Sequence, residues 1–222
     1  MRATLFWLLM LPLSCFAQKN AGEQKRPPYV VKTTPLNLIN PFQQSVDVSA
    51  DIPLSSRWGL EMGIGMVLDS WSWAPHKGET YKGLKLKPAI KYYTQLLTGG
   101  NNDYISLAFK YNNIQNSRYV NVTRQGGQYT EWMFQRKHLL TWGAAFRMGS
   151  QLYLGNRKRW MIEPFVGAGI RQLRVSQHDL PLDAELLVEE RIFNLDRPSG
   201  IYTTPDISLG FCFGWAIPAK IN

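Results

Sequence analysis

Two kinds of side chain in this sequence could carry chemistry: isolated histidines, and acids and bases repeated at regular spacing. The histidines are His76, His138 and His178. A histidine with a serine and a carboxylate forms the catalytic set of many acyl-transferring enzymes, and the candidates to complete such a set beside His138 are Asp69, Ser70 and Ser72. No metal-ligand spacing, nucleophile elbow or phosphate-binding loop occurs, so neither a metal nor a cofactor is expected.

The regularly spaced acids and bases occupy every second position of several segments, in a phase otherwise filled by glycine and serine. The charged members that we expect to form a network are Asp47, Asp51, Glu61, Lys85, Lys87, Lys91, Lys110, Arg147, Glu163 and Arg171. Opposite charges among small residues are typical of a narrow interior, where charges must pair because water is scarce. Within it we expect Glu61 and Glu163 to contact Lys85, Lys87, Lys91, Arg147 and Arg171.

The other phase of these segments is apolar. In "RWGLEMGIGMVLD", from Arg57 to Asp69, the residues Trp58, Leu60, Met62, Ile64, Met66 and Leu68 alternate with small or acidic residues. Strict alternation predicts a β-strand with one apolar face. Since the opposite face is charged, the apolar face is predicted to contact lipid.

Eight segments are candidate strands, and the phase of the first is ambiguous. They are 30–39, 44–53, 57–69, 82–96, 104–113, 137–150, 159–173 and 206–217. From the second onward their connections alternate between short and long, as in an outer-membrane protein with short periplasmic turns and longer external loops. The predicted fold is therefore all-β, an eight-stranded antiparallel up-and-down transmembrane β-barrel. A bulge or bend is expected at Pro88 and Pro164, which remove ladder donors.

The first 17 residues read as a secretory signal peptide. Arg2 precedes an apolar run from Leu5 to Leu13, and cleavage is expected between Ala17 and Gln18. A lipoprotein acylated at Cys15 is the alternative. We assign 18–28 to a flexible periplasmic lead, 29–217 to the barrel and 218–222 to a periplasmic C-terminal end, so both termini are periplasmic. Cys212 then remains as a single cysteine, without a disulfide.

Aromatic residues and net charge indicate the surroundings. We expect a periplasmic aromatic girdle on the lipid-facing phase, formed by Trp58, Tyr92, Trp160 and Trp215. The net charge of +9 fits anionic lipid headgroups in an exported protein, so the expected partners are outer-membrane lipids and lipopolysaccharide, not nucleic acid. The external loops 114–136 and 174–205 are where a protein partner could bind a monomeric barrel. Asp183 could begin a short helix in the second loop.

Three segments carry a family resemblance. The leader ending "FAQ", the stretch "LNLINPFQQSVDVSADIPLSSRWGLEMGIG" and "GLKLKPAIKYY" resemble small outer-membrane β-barrel proteins of Bacteroidota, a family of unknown function, with an architecture similar to OmpX and the OmpA transmembrane domain. The resemblance implies an eight-stranded outer-membrane barrel without a known activity. The function we predict is that of a non-enzymatic protein of a Gram-negative cell envelope, with a structural or interaction role through its external loops. The alternatives are an outer-leaflet lipid-modifying enzyme and a soluble lipocalin-like binder of an apolar ligand, in which the apolar phase would point inward.

Overall fold

The chain folds almost entirely into β-strands. The computed structural model describes residues 27–39, 44–68, 80–94, 102–155, 157–178, 181, 185–186 and 198–217. Its strands are β1 (Tyr29–Thr33), β2 (Ser45–Pro53), β3 (Trp58–Val67), β4 (Thr80–Thr94), β5 (Asp103–Arg124), β6 (Tyr129–Ser150), β7 (Leu152–Leu154), β8 (Trp160–His178), β9 (Glu185–Leu186) and β10 (Gly200–Ile217). No α-helix occurs within the described ranges, and the all-β prediction is confirmed.

The strands pair into an antiparallel sheet that closes on itself. The order of neighbours is β10-β1-β2-β3-β4-β5-β6-β8-β7, and a further pairing of β8 with β10 completes a ring. β7 pairs with β8 beside the end of β6, and β9 pairs with β5. We call the end of the ring that holds Tyr29 and Ile217 the terminal end, and the end reached by the connection of β5 to β6 the hairpin end.

The two faces of the ring have opposite compositions near the terminal end. Large apolar side chains of β2, β3, β4 and β10 are exposed on the outside, while acids and bases on the same strands are buried inside. Alternation of side chains along a strand produces this division. The first strand, whose phase the sequence left open, turns Val30 and Lys32 inward and Tyr29 and Val31 outward.

Several strand ends differ from the prediction. β1 ends at Thr33 and not at Ile39, because Pro35 begins a short 3-10 turn, Pro35–Asn37, and proline has no donor for the ladder. The expected loop 114–136 is a continuation of β5 and β6, which turn at Gln125–Gly127, where all three residues have positive φ. Glu185 and Leu186, placed by the sequence in a short helix, form β9 against Val122 and Thr123; Asp183 lies outside the described residues.

Both prolines in the strands interrupt hydrogen bonding on one side without changing the register. Pro88 pairs with Met62 of β3, whereas the ladder with β5 is broken between Leu86 and Ala89 and resumes in the same register. Pro164 pairs with Phe211 of β10 and lies opposite the break between β6 and β7. The register therefore contains no bulge at either position, because each missing donor coincides with a local break in the ladder, and the bend that was the other expectation stays a prediction.

Candidate functional site

The most concentrated chemistry lies inside the ring at its terminal end. Lys32 of β1, Asp51 of β2, Glu61 of β3, Lys91 of β4 and Glu163 of β8 are all buried there. We call these five residues the ion cluster. They come from five strands because each occupies an inward position, and closure of the ring between β1 and β10 brings Lys32 and Glu163 together across 131 residues of sequence.

Two lysines hold the cluster together. Lys32 Nζ lies 3.1 Å from Asp51, 3.0 Å from Glu61 and 2.8 Å from Glu163. Lys91 Nζ lies 2.9 Å from Asp51, 3.0 Å from Glu61 and 2.9 Å from Glu163. Each ammonium therefore contacts the same three carboxylates, which is the arrangement that burial of charge requires.

Neutral donors share three of the carboxylate oxygens with the lysines. The hydroxyl of Tyr104 donates to Glu163 Oε1 at 2.7 Å, and the side-chain amide of Gln151 donates to Asp51 at 2.7 Å and to Glu163 at 2.9 Å. Tyr153 in turn donates to Gln151 Oε1 at 2.9 Å. These groups fill the space around the charges, so the ring interior is packed with side chains at this level.

Three carboxylates this close could in principle ligate a cation. Oxygens of Asp51, Glu61 and Glu163 lie within 4.8 Å of one another, and hard divalent cations prefer such oxygens. However, the ammonium groups of Lys32 and Lys91 already contact all three carboxylates. A divalent cation here would lie against two positive charges, so we assign the cluster to ion pairing.

The other predicted network members pair nearer the hairpin end. Lys87 forms an ion pair with Asp47, which also accepts from the amide of Asn37. Lys110 Nζ lies 2.6 Å from Asp206, and Lys85 donates to the hydroxyl of Ser45 at 2.9 Å.

The two inward arginines are less tightly paired. Arg171 Nη1 is 3.9 Å from the carboxylate of Asp206, and Arg171 Nε donates to Thr204 at 3.1 Å. The guanidinium carbon of Arg147 lies 5.7 Å from the ring centroid of Phe165.

These contacts revise the partners expected for Glu61 and Glu163. Of the five bases predicted to contact them, Lys91 does so, whereas Lys85 and Lys87 pair with residues of β2. They do so because Lys85 and Lys87 lie six and four positions closer to the hairpin end of β4 than Lys91 does. The sequence missed Lys32, the second hub. The available signal was that Lys32 is the only charged residue of β1.

The aromatic residues predicted as a girdle lie on the outer face at the terminal end. Trp58 and Tyr92 pack edge to face with ring centroids 5.0 Å apart, and Trp160 lies 4.6 Å from Trp215 and 5.2 Å from Phe213. They meet because Trp58 is paired with Tyr92 and Trp160 with Trp215 in the ladders.

The residues considered for catalysis are only partly described. His138 Nε2 lies 2.6 Å from Asn113 Oδ1 on the outer face. Its proposed partners at positions 69, 70 and 72 lie outside the described residues, as do His76 and the expected cleavage site at Ala17 and Gln18. In the part of the chain that is described, no catalytic set forms around His138.

Comparison with known proteins gives no relative: no family model, curated protein or solved structure matches the chain. The resemblance to Bacteroidota outer-membrane proteins therefore stays a prediction. Among the helical residues of the described ranges, none belongs to a helix with the length and hydropathy needed to cross a membrane.

Proposed function

We propose that the protein is an exported outer-membrane protein, an eight-stranded up-and-down β-barrel with its termini in the periplasm. The ring of strands would span the outer membrane with the terminal end toward the periplasm and the hairpin end outside. The proposed role is non-enzymatic, structural or in interactions made through the external segments.

The observation that carries the proposal is the inverted burial of the ring. Ile64, Met66, Ile207 and Leu209 are apolar and exposed, the last two to 80% and 81%, while Lys91 on the inside is 0% exposed. A water-soluble ring would bury such apolar side chains, because each one withdrawn from water stabilises the fold by about 1.5–3 kcal/mol. A ring surrounded by lipid requires the opposite arrangement.

This inverted arrangement, with apolar side chains outside and charged side chains inside, ends at one row of paired residues. Ile114, Leu139 and Val175 are paired across β5, β6 and β8, point inward, and pack with Val67 into a buried apolar cluster. We call these four residues the apolar rung. The next paired row toward the hairpin end, on the outer face, is polar: it consists of Lys82, Gln115, His138 and Ser176.

This change of polarity supports a boundary between lipid and water at that level. On the terminal side of it β5 presents Phe109 and Tyr111 outward, and on the hairpin side it presents Gln115 and Ser117. Beyond the boundary the pattern is mixed, because Val122 is fully buried inside together with the polar Gln135 and Lys137, while large aromatic residues remain exposed. The proposed transmembrane band therefore extends from the girdle residues to the row that contains Gln115.

The hairpin end is the proposed interaction surface. Tyr119, Trp132 and Phe134 are exposed on the outer face of the β5–β6 extension, near the arginines of that segment. Such a surface could contact lipopolysaccharide or a protein. The segment 174–205 would contribute through β9 and the residues around it.

The two alternatives fit the geometry less well. A lipocalin-like binder needs its apolar phase inside, whereas the ring interior holds the ion cluster. A lipid-modifying enzyme needs a base with partners, and His138 contacts the amide oxygen of Asn113, which is neither a nucleophile nor a carboxylate.

Heat-modifiability tests the proposal. The full chain would be expressed with residues 1–17 in a Gram-negative host, and the outer-membrane fraction would be run on a gel with and without boiling. A folded band that shifts on boiling is the expected result, and the chain lacking residues 1–17 is the control that should stay out of this fraction. A water-soluble full-length product without a shift would contradict the proposal.

A further inference from the structure

The ring encloses a cavity of about 320 Å³ between the ion cluster and the apolar rung. On β8 this order is direct: Glu163 belongs to the cluster, Arg171 lines the cavity and Val175 belongs to the rung. The charged side chains of the lining are the basic Lys87, Lys110, Arg147 and Arg171 and the acidic Asp47, Glu61 and Asp206. Positive charge is therefore in excess.

The acids of the lining are occupied by lysines. Asp47 pairs with Lys87, Asp206 lies 2.6 Å from Lys110, and Glu61 contacts both lysines of the ion cluster. Little negative charge is consequently left in the lining to neutralise the two arginines. Arg171 reaches Asp206 only at 3.9 Å.

Arg147 is the less neutralised of the two arginines. No carboxylate of the described residues forms a salt bridge with it, and its described interactions are with the ring of Phe165 and, at longer range, with the charge of Glu61. The neighbouring Ser208 Oγ is buried and has no hydrogen-bond partner among the described residues. A guanidinium and a hydroxyl, both able to donate, are thus left without an acceptor at one point of the wall.

Each of the two arginines is paired in the ladder with a glycine, which has no side chain to occupy the space beside the arginine. Arg147 is paired with Gly167, which is paired with Ser208, and Arg171 is paired with Gly143. A methyl group on Gly167 would lie 2.6 Å from Arg147 Cγ and 2.8 Å from Ser208 Oγ. Any larger residue would therefore displace these side chains.

Small residues form the wall between the two arginines. Ala108, Ala145 and Gly169 are paired in one row, between the row of Arg147 and the row of Arg171. Along the cavity wall, the two guanidinium groups are therefore separated by a row of residues with no side chain larger than a methyl group.

We propose that this cavity binds an oxyanion, the phosphate or carboxylate group of a small molecule or lipid, through Arg147, Arg171 and Ser208. A planar guanidinium binds two oxygens of such a group at once, and the bonds are strengthened by charge. Arg171 is the more accessible of the two arginines, because 47% of its side chain is exposed. The oxyanion neutralises the charge that the acids of the lining leave uncompensated.

The experiment uses the folded full-length protein in a nonionic detergent and a phosphate-free buffer. One arm titrates inorganic phosphate by calorimetry, and the other titrates lysophosphatidylglycerol, whose headgroup carries one phosphate. Binding of both assigns the site to a free oxyanion, and binding of the lipid alone assigns it to a headgroup. If neither binds, the proposal is overturned.

Variants locate the site. Arg147→Gln and Arg171→Gln should each weaken binding roughly tenfold, since a hydrogen bond to a charged group contributes that much, and Arg147→Lys should recover part of the loss. Ser208→Ala removes one donor with little risk to folding and should weaken binding to a smaller extent.

Arg174→Gln is the matched control. It changes an exposed arginine of β8 on the outer face, three residues from Arg171, and should bind like the wild type. Equal binding by Arg147→Gln, Arg171→Gln and the wild type, with all three folded by heat-modifiability, would contradict the assignment.

Discussion

At the scale of residues, the ion cluster explains how a narrow ring tolerates charges inside. Two ammonium groups shared by three carboxylates leave no member without a counter-charge. Buried ion pairs add little net stability, yet loss of one partner is costly because the others stay buried and uncompensated. We infer that the cluster fixes the register in which β1 closes the ring against β10.

Replacing Lys91 by methionine tests this account. The variant retains the length of the side chain but leaves three carboxylates around Lys32 alone, so the free energy of unfolding should fall by roughly 3–5 kcal/mol. Urea titration of the refolded protein in micelles would measure the loss. Lys87→Met is the comparison, because Lys87 is 26% exposed and its partner Asp47 also accepts from Asn37, so the loss should be smaller than that of Lys91→Met.

A second substitution makes the test specific. Adding Glu163→Gln to Lys91→Met removes one of the surplus negative charges and should restore part of the lost stability. If the double variant is less stable than the wild type by the sum of the losses of the two single variants, the two side chains do not interact and the account of the cluster is wrong.

The sequence predicted the members of the interior better than their partners. Alternation alone identified Glu61, Glu163 and Lys91 as inward, because side-chain direction is a local property of a strand. It could not predict that Lys32 joins them, since that contact depends on ring closure between the first and last strands. Lys85 and Lys87 were assigned wrong partners because strand register along the ring is likewise non-local.

At the scale of elements, the ends of strands were predicted least well. The apolar-outside pattern ends near Asn113 on β5, so the segment beyond it was predicted as a loop. The strand in fact continues to Arg124 with a mixed pattern, because its inner face holds the apolar Ile114 and Val122 while its outer face carries polar residues beside the exposed Tyr119. A search for strands with an apolar outer face and a polar inner face therefore does not detect this part of β5.

Pro88 provides a prediction at this scale. Its position in the break between β4 and β5 indicates that its nitrogen faces β5, so Pro88→Val should supply a donor and add about 0.5–1.5 kcal/mol of stability. Hydrogen exchange of the amide groups of Lys87 to Ile90 should slow accordingly.

Pro205 of β10 is the matched comparison. The ladder between β10 and β8 continues through Pro205 and Ile170, so its nitrogen faces away from β8. Pro205→Val should therefore add less stability than Pro88→Val. A larger gain at Pro205 would show that the break at β4 has another cause.

At the scale of the whole molecule, the ring has three levels: a charged interior with an apolar exterior, a cavity, and an extension with polar and apolar residues on both faces. Closure of the interior by the ion cluster predicts that the protein forms no wide pore. Planar bilayers containing it should show no steady conductance in the nanosiemens range, compared with a detergent-only control. Regular steps of that size would mean that the interior is open.

In the proposed orientation, two exposed apolar positions lie at different depths relative to the membrane. Ile64 is 55% exposed within the apolar band, and Trp132 is 72% exposed on the hairpin beyond it. Ile64→Arg should cost about 2–4 kcal/mol and impair membrane assembly, since charge is expensive at the bilayer midplane, while Trp132→Arg should assemble normally. The fraction of each variant that shows heat-modifiability measures the difference.

The most direct test of the central claim asks what the outer face contacts. A fluorophore attached at Ile64→Cys, in protein reconstituted into vesicles, should be quenched by lipids brominated on their acyl chains. The same label at Ser49→Cys, an inward position of β2, should be quenched much less, and wild-type protein gives the background from buried Cys212. Quenching at Ser49 without quenching at Ile64 would mean that the apolar face does not contact lipid, and would contradict the proposed membrane barrel.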